Sequence, residues 1–334
     1  MLRVRGRITI AVGAVATILL AGAAYQSYAS ERDRTRFPPP GVLVDAGGRR
    51  LHLLCVGAGR ATVLFESGAF NNSVSYEAAR AELSRFARVC SYDREGIGWS
   101  DAAPASLSVG RLAEDLAMLQ DEAHLPHQLV IVTGSMGGFV TEMFARRHPD
   151  RVSGLVFLDA ATSDMLPVLE RLVGRRTAVT ACLAAEAGGA VGLVRAADPF
   201  GFRADPDPSS VARAAALMYS SQPWKAMCAL VRGIDKTDQE FSEAPPIRAD
   251  VPLAVLSADA TEGVLPPGVG LFISNDTIAA TTRQMRQLHR QFARRSSRGS
   301  WQQVPNSAHA IANSNPELVA ATVRGMLSLS PEPS

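Results

Sequence analysis

The stretch Leu129-Val-Ile-Val-Thr-Gly-Ser-Met-Gly-Gly-Phe139 constrains this chain more than any other. A β-branched run gives way at once to small residues around Ser135, and Phe139 to Arg147 then has helical character. Strand, tight turn and helix follow one another with no room for a loop. A turn that sharp holds its central residue in a strained backbone conformation and lifts the hydroxyl above the sheet. It also aims the next backbone N–H, that of Met136, at any oxyanion formed there. The pattern G-x-S-x-G is met by Thr133-Gly134-Ser135-Met136-Gly137 except at its first position, where threonine stands for glycine. Gly134, Gly137 and Gly138 keep the turn compact where strand and helix approach closely. Taken alone, a serine among glycines is equally a loop residue or a helix cap. The flanking chain decides between these.

That flanking chain alternates. Val42 to Asp45 and Arg50 to Val56 read as a β-hairpin around Gly47-Gly48, and Ala61–Phe65, Val89–Tyr92, Leu129–Val132, Val152–Leu158, Val251–Leu256 and Trp301–Val304 read as further strands. Between them, Tyr76–Arg85, Val109–Glu122, Thr277–Arg295 and Pro316–Leu327 have helical spacing, with Leu112, Leu116 and Leu119 on one face. Such alternation predicts a mostly parallel sheet covered on both faces, with ligands at the carboxyl ends of its strands. The turn at Gly68, Ser135, Asp159, Asp259 and His309 all fall at such ends. The span Ala160 to Asp250 has no clear strand and is broken at Asp198-Pro-Phe-Gly and Asp205-Pro-Asp-Pro, which predicts a helical cap. Its apolar runs, such as Val191-Gly-Leu-Val194, suit an apolar part of a ligand or the cap's own core.

The first residues stand apart from this domain. Arg3, Arg5 and Arg7 precede an uncharged apolar stretch, Ile8 to Ala24, after which charges return from Glu31 to Arg36. At 1.5 Å per residue that stretch spans about 26 Å, enough for a short membrane helix. Tyr25 and Tyr28 fit the headgroup level. The arginines place the N-terminus in the cytoplasm and export the rest, as a single-pass anchor with the domain periplasmic or extracellular. The alternative is secretion after cleavage, because Ala21-Gly-Ala-Ala24 and Tyr28-Ala-Ser30 resemble signal-peptidase sites. Phe37-Pro-Pro-Pro-Gly41 reads as a stiff spacer. A formal charge of +2 without a basic, aromatic-laced stripe argues against nucleic acid as a partner. No dinucleotide fingerprint, phosphate loop or ligand cluster points to an organic cofactor or a metal. Cys55, Cys90, Cys182 and Cys228 lack metal-ligand spacing.

The order serine, acid, histidine at successive strand ends resembles the α/β-hydrolase fold. So do Leu64-Phe-Glu-Ser-Gly68, similar to that family's oxyanion turn, Tyr92-Asp-Arg-Glu-Gly-Ile-Gly-Trp-Ser100, similar to its D-R-x-G-x-G-x-S segment, and Asn306-Ser-Ala-His309, similar to its histidine loop. The opening Pro39-Pro-Gly41, Val44-Asp-Ala-Gly-Gly48 and Leu51-His52 looks like a bacterial branch with an N-terminal membrane helix. The resemblance implies an eight-stranded, mostly parallel sheet with a helical cap between strands 6 and 7. The expected boundaries are 1–36 for a stub, membrane helix (8–24) and linker, 37–160 with 250–330 for the core, and 161–249 for the cap.

It further implies a serine hydrolase acting on an ester or related acyl substrate. Ser135 would be the nucleophile, His309 the base and Asp259 the acid. Asp159 is the alternative acid, and Asp276 a third. The N–H groups of Met136 and Ala69 would hold the oxyanion, with Phe70 as the other candidate for the second donor. Asp93 and Arg94 are expected as an ion pair bracing the elbow and the Gly96–Gly98 turn, and the other five histidines as structural. The fold sets the Cys55 strand beside the Cys90 strand, so a disulfide there, with a second between Cys182 and Cys228, is one expectation, and four buried thiols acting as small hydrophobes is the other. A non-catalytic binding protein, or another cofactor-free reaction of the fold, is the rival reading.

Overall fold

In the computed structural model, which describes residues 2–199, 208–259 and 274–328, the alternation resolves into one mixed sheet. Its strands are β1 (Val42–Asp45), β2 (Arg50–Val56), β3 (Thr62–Glu66), β4 (Arg88–Tyr92), β5 (Leu129–Gly134), β6 (Val152–Leu158), β7 (Leu253–Ala258) and β8 (Gly299–Val304). They lie in the order β1-β2-β4-β3-β5-β6-β7-β8. The hairpin β1–β2 and the β2–β4 pair are antiparallel, and the remaining pairs are parallel. Side chains on a strand alternate between faces, so the buried strands serve two cores. Leu64, Ile131, Phe157 and Val255 pack with Leu112, Leu116, Phe144 and Phe292, on α3 (Val109–Glu122), α4 (Gly137–Arg147) and α11 (Asn275–Ala293). Val63, Phe65, Val132 and Leu158 pack on the opposite face with Ala79 and Leu83 of α2 (Glu77–Leu83) and Val319 and Val323 of α13 (Pro316–Ser328). The connection after β8 includes the short helix α12 (Ile311–Ser314).

Between β6 and β7 the chain forms the cap helices α5 (Leu166–Val173), α6 (Arg175–Ala190), α7 (Leu193–Ala197), α8 (Pro208–Met218), α9 (Gln222–Arg232) and α10 (Ile234–Glu243). The break expected at Asp198-Pro-Phe-Gly falls at the end of α7, where Asp198 takes φ +49°, while residues 200–207, which hold the rest of it and most of Asp205-Pro-Asp-Pro, and the tail from Ser330 lie outside the described residues. Cys55 and Cys90 are direct partners in the antiparallel β2–β4 register and are disulfide-bonded. The second expected bridge is absent, and Cys182 and Cys228 are free thiols on α6 and α9.

The N-terminal segment departs from the expected helix-then-linker arrangement. Helix α1 runs from Leu2 to Arg36, past the charged turn at Glu31 to Arg36, because one of its faces has a partner. Gln26, Ala29 and Asp33, at helical spacing, are buried while Tyr25 and Tyr28 are exposed. Gln26 Nε2 donates to the Tyr219 carbonyl at 2.7 Å. Arg195, on α7, donates to Gln26 Oε1 at 3.1 Å and to Asp33 Oδ2 at 2.7 Å. The chain then leaves toward the core, where Trp99 Nε1 donates to the Phe37 carbonyl at 2.9 Å. The end of α1 is thus fastened to both cap and core.

Candidate active site

At the end of β5, Ser135 takes φ +52°, one of five non-glycine residues with positive φ among those described. The left-handed region costs on the order of 1–2 kcal/mol for a residue with a Cβ, so the surroundings must enforce it. The Ser135 carbonyl accepts from Gly138 N–H at 3.1 Å and from Ala161 N–H at 2.8 Å, which ties the elbow both to its helix and to the loop beyond β6. A Cβ at Gly138 would stand 2.1 Å from the Ala161 carbonyl oxygen, so only glycine fits. The departure at Thr133 has a local explanation. Its side chain is buried and Gly137 faces it, where a Cβ would lie 2.8 Å from Thr133 Oγ1. Threonine is accommodated because position 137 carries no side chain.

The turn at Gly68 stands beside this serine, since a Cβ on Gly68 would lie 3.2 Å from Ser135 Cβ. Gly68 N–H donates to Tyr76 Oη at 3.0 Å, which removes it as a donor to a ligand. Arg94 fixes the rest of the turn. Its Nη1 donates to Glu66 Oε1 and to the Ser67 carbonyl, and its Nη2 donates to the Gly68 carbonyl at 2.6 Å. In a trans peptide the N–H lies opposite the C=O, so the Ala69 N–H points away from Arg94. Phe70 packs on Trp224 of the cap, with ring centroids 4.8 Å apart. Glu66 is completely buried. Burial pushes its carboxyl up, and the Arg94 charge with the hydrogen bonds from Tyr92 and Arg94 works against that shift. Arg94 is therefore paired with Glu66 rather than with Asp93 as expected. Asp93 instead accepts from Ser73 N–H at 2.5 Å and Trp99 N–H at 3.0 Å, with His52 Nδ1 3.0 Å away. It braces the Gly98 turn, where φ is +55° and a Cβ would collide with the Asp93 carboxylate.

The two candidate acids part company here. The register pairs Gly134 with Leu158, so Ser135 and Asp159 stand at the ends of adjacent strands. Asp159 takes φ +46° and accepts from His309 Nδ1 at 2.7 Å and from Ala258 N–H at 3.0 Å. Burial raises the Asp159 carboxyl, but the hydrogen bond and charge of His309, the charge of His289 and the Ala258 N–H together hold it below the usual carboxylate range. With Nδ1 engaged, Nε2 is the ring nitrogen left to take a proton. Asp259 is exposed and faces elsewhere, accepting from Gln303 Nε2 and, at 3.5 Å, from Asn306 N–H. The structure therefore places Asp159, not Asp259, against the imidazole. The reason is that Asp259 lies one strand further out, where β8 and the histidine loop offer it other donors. Asp276 sits exposed in the first turn of α11.

Sequence reasoning missed His289, an α11 residue lying beneath this strand end. Its Nε2 is 2.7 Å from the Ala160 carbonyl, which can only accept, so Nε2 carries the proton. In the neutral ring Nδ1 then accepts from Ser257 Oγ at 2.8 Å, and Ser257 Oγ accepts from Trp301 Nε1 at 2.9 Å. Burial is the main cause lowering the imidazole of His289 below its ordinary value. A histidine at the buried position of a helix carries no local signal of this role. Glu66 did carry one, as a carboxylate closing an otherwise apolar strand. Among the described residues no cluster of His, Cys, Asp and Glu could hold a metal ion.

Comparison with known proteins agrees with this architecture. The sequence profile of the α/β hydrolase fold matches residues 61–181. A protein of Schizosaccharomyces pombe is 38% identical over 84 residues, a match covering 25% of this chain and 16% of that protein. The chain thus spans a small part of that relative's length. Among solved structures, a serine hydrolase of carbazole degradation superposes with a TM-score of 0.58 at 18% identity, over 86% of this chain and 98% of that one. A bacterial membrane phospholipase A superposes with a TM-score of 0.54 at 18% identity, over 98% of both chains. The sheet order agrees with the profile match and these superpositions, and the chain has the α/β-hydrolase fold.

Proposed function

We propose that this protein is a serine hydrolase that cleaves an ester or related acyl substrate through Ser135, His309 and Asp159. The observation that carries this reading is the joint presence of a serine in the left-handed elbow conformation and a histidine whose Nδ1 is held 2.7 Å from a carboxylate at the neighbouring strand end. Ser135 Oγ attacks the acyl carbonyl as its proton passes to His309 Nε2, and Asp159 fixes the tautomer and stabilises the imidazolium. The N–H groups of Met136 and Ala69 receive the oxyanion. The imidazolium then protonates the leaving alcohol, and water, deprotonated by the same nitrogen, releases the acid from the acyl-enzyme. Nothing in these steps requires a metal or organic cofactor.

We place the catalytic domain, residues 37–160 and 250–330 with a cap over 161–249, outside the cytoplasm, anchored by α1. Two observations support this. The window of α1 apolar enough to cross a membrane is only 6% buried in the protein. The Cys55–Cys90 bond belongs to an oxidising compartment. The test is labelling of the detergent-solubilised full chain with a fluorophosphonate, followed by peptide mapping. The expected adduct is on Ser135 and disappears in Ser135→Ala. A folded protein that takes up no label overturns the reading in favour of a binding protein on the same scaffold.

A further inference from the structure

Helix α6 presents an unusual face to solvent. Arg176, Thr180, Leu183, Ala187 and Ala190 follow at steps of four and three residues, so they form one stripe along the helix, with Val179 beside it. All are exposed, and no charged residue occurs in the stripe after Arg176. Val179 is 37% and Leu183 58% exposed, and Leu193, just past the turn into α7, is 60% exposed. The outer face of α11 is the internal control. From Arg283 onward its exposed residues, Arg283, Gln284, Gln287, Arg290 and Gln291, are all polar. The exposed stripe of α6 contrasts with that face.

The place where this stripe ends identifies what covers it. Its C-terminal end is the Val191-Gly192 turn, and α1 meets the cap there. Gly22 lies so close to the Val191 carbonyl that a Cβ would stand 2.5 Å from it, and Gly192 lies against Gln26. Gly22 belongs to the last turn of the apolar stretch Ile8–Ala24, which bears the exposed Ile18 and Leu20. From Gly22 to Asp33 the docked helix rises about 16 Å, and over that length Gln26, Ala29 and Asp33 hold it on the cap. The cap therefore meets α1 at the level where the apolar stretch stops, and the exposed apolar stripe of α6 ends at that contact.

We infer that the outer face of α6 and the start of α7, Val179, Leu183, Ala187, Ala190 and Leu193, is a bilayer-contact surface that seats the cap in the headgroup layer beside α1. This rests on the membrane anchoring assigned to α1 above. An amphipathic helix with its apolar face toward lipid and arginine at its margin buries that face at the boundary between headgroups and acyl chains. Arg176 supplies the basic margin.

The experiment uses the full chain reconstituted in phosphatidylcholine–phosphatidylglycerol vesicles, with and without lipids brominated near the top of the acyl chain. Single tryptophan additions report position, each read as a difference from the parent protein. Val15→Trp marks α1, Leu183→Trp the stripe and Gln287→Trp the polar face of α11. Fluorophosphonate uptake checks that each variant is folded. The expected result is that bromolipid quenches both Val15→Trp and Leu183→Trp by more than half, whereas Gln287→Trp is quenched only by aqueous iodide. Quenching of Val15→Trp with Leu183→Trp open to iodide like Gln287→Trp overturns the inference and leaves the anchor standing. Failure of bromolipid to quench Val15→Trp overturns the anchor and the inference together, and labelling of Ser135 in that sample still tests the hydrolase reading separately.

Discussion

Two adjacent strands of this sheet, β6 and β7, each end in an aspartate, and the two carboxylates have different surroundings. Asp159 is withdrawn from solvent, stands in the left-handed region, and has its N–H bonded to the Leu256 carbonyl at 2.7 Å. That bond makes the end of β6 an extension of the β6–β7 ladder and points the carboxylate at His309. Asp259 has its N–H turned to Ser307 Oγ at 3.2 Å, and its carboxylate is spread over Gln303 and Asn306. Residue type and distance from the strand end are nearly the same at both sites. What separates them is the cross-strand hydrogen bond that sets the backbone angle at the last residue.

The sharpest attempt to break this contrast is Asp159→Asn, which keeps the shape but removes the charge and favours the wrong imidazole tautomer. We expect kcat for a soluble ester to fall on the order of 10⁴-fold, read by steady-state kinetics against wild type. Next is the end of β3, where one guanidinium grips two carbonyls. Arg94→Lys keeps the charge beside Glu66 yet cannot fork to Ser67 and Gly68 together. The Ala69 N–H then loses its fixed aim, and kcat should fall by about 10–100-fold with little change in KM, a loss comparable with removing part of an oxyanion hole.

A smaller effect is expected from His289 beneath the two strand ends. Burial lowers its imidazole in the folded state. The unfolded chain therefore binds a proton near pH 6.5 that the folded chain refuses. Stability contributed by this site is complete above that pH and is lost as the pH falls from there through the lowered folded-state value. His289→Gln should be less stable than wild type at pH 8 and should lose less on acidification to pH 5, a difference on the order of a few degrees in Tm by thermal melts at both values. The smallest expectation is the counterpart of the first. Asp259→Asn should leave kcat/KM within about twofold, as for a surface change away from any buried partner. A collapse of activity in that variant, with Asp159→Asn active, would reverse the assignment.

Much of this was written locally in the sequence. Apolar runs mark the strands, and the small residues around Ser135 mark the elbow, because no other residues fit a Gly138 Cα that nearly touches a neighbouring loop. The choice between Asp159 and Asp259 was not legible. Both follow an apolar strand, and the register pairing Leu158 with Leu256 is a fact of tertiary structure. Arg94 was visible as a bracing residue, but its partner Glu66 lies 28 residues away, and the nearer carboxylate at Asp93 drew the wrong pairing. The charges from Glu31 onward look like a solvated linker, which sets the expected end of the membrane helix at Ala24. One of them, Asp33, is neutralised by Arg195, 162 residues further along, and no local pattern carries such a pairing.

The bond between Cys55 and Cys90 has a consequence for how folding can be followed. Residues directly opposite in an antiparallel pair have Cα atoms close enough for a disulfide, here 4.0 Å apart, whereas diagonal neighbours stand about 7–8 Å apart, beyond its usual reach. Oxidation of this pair thus reports the alignment of β2 against β4, and a shift of two residues along the edge leaves both thiols reduced. The fraction of chains that resist alkylation at Cys55 is a chemical record of how many have assembled that edge in register, readable in a crude extract without purifying the protein.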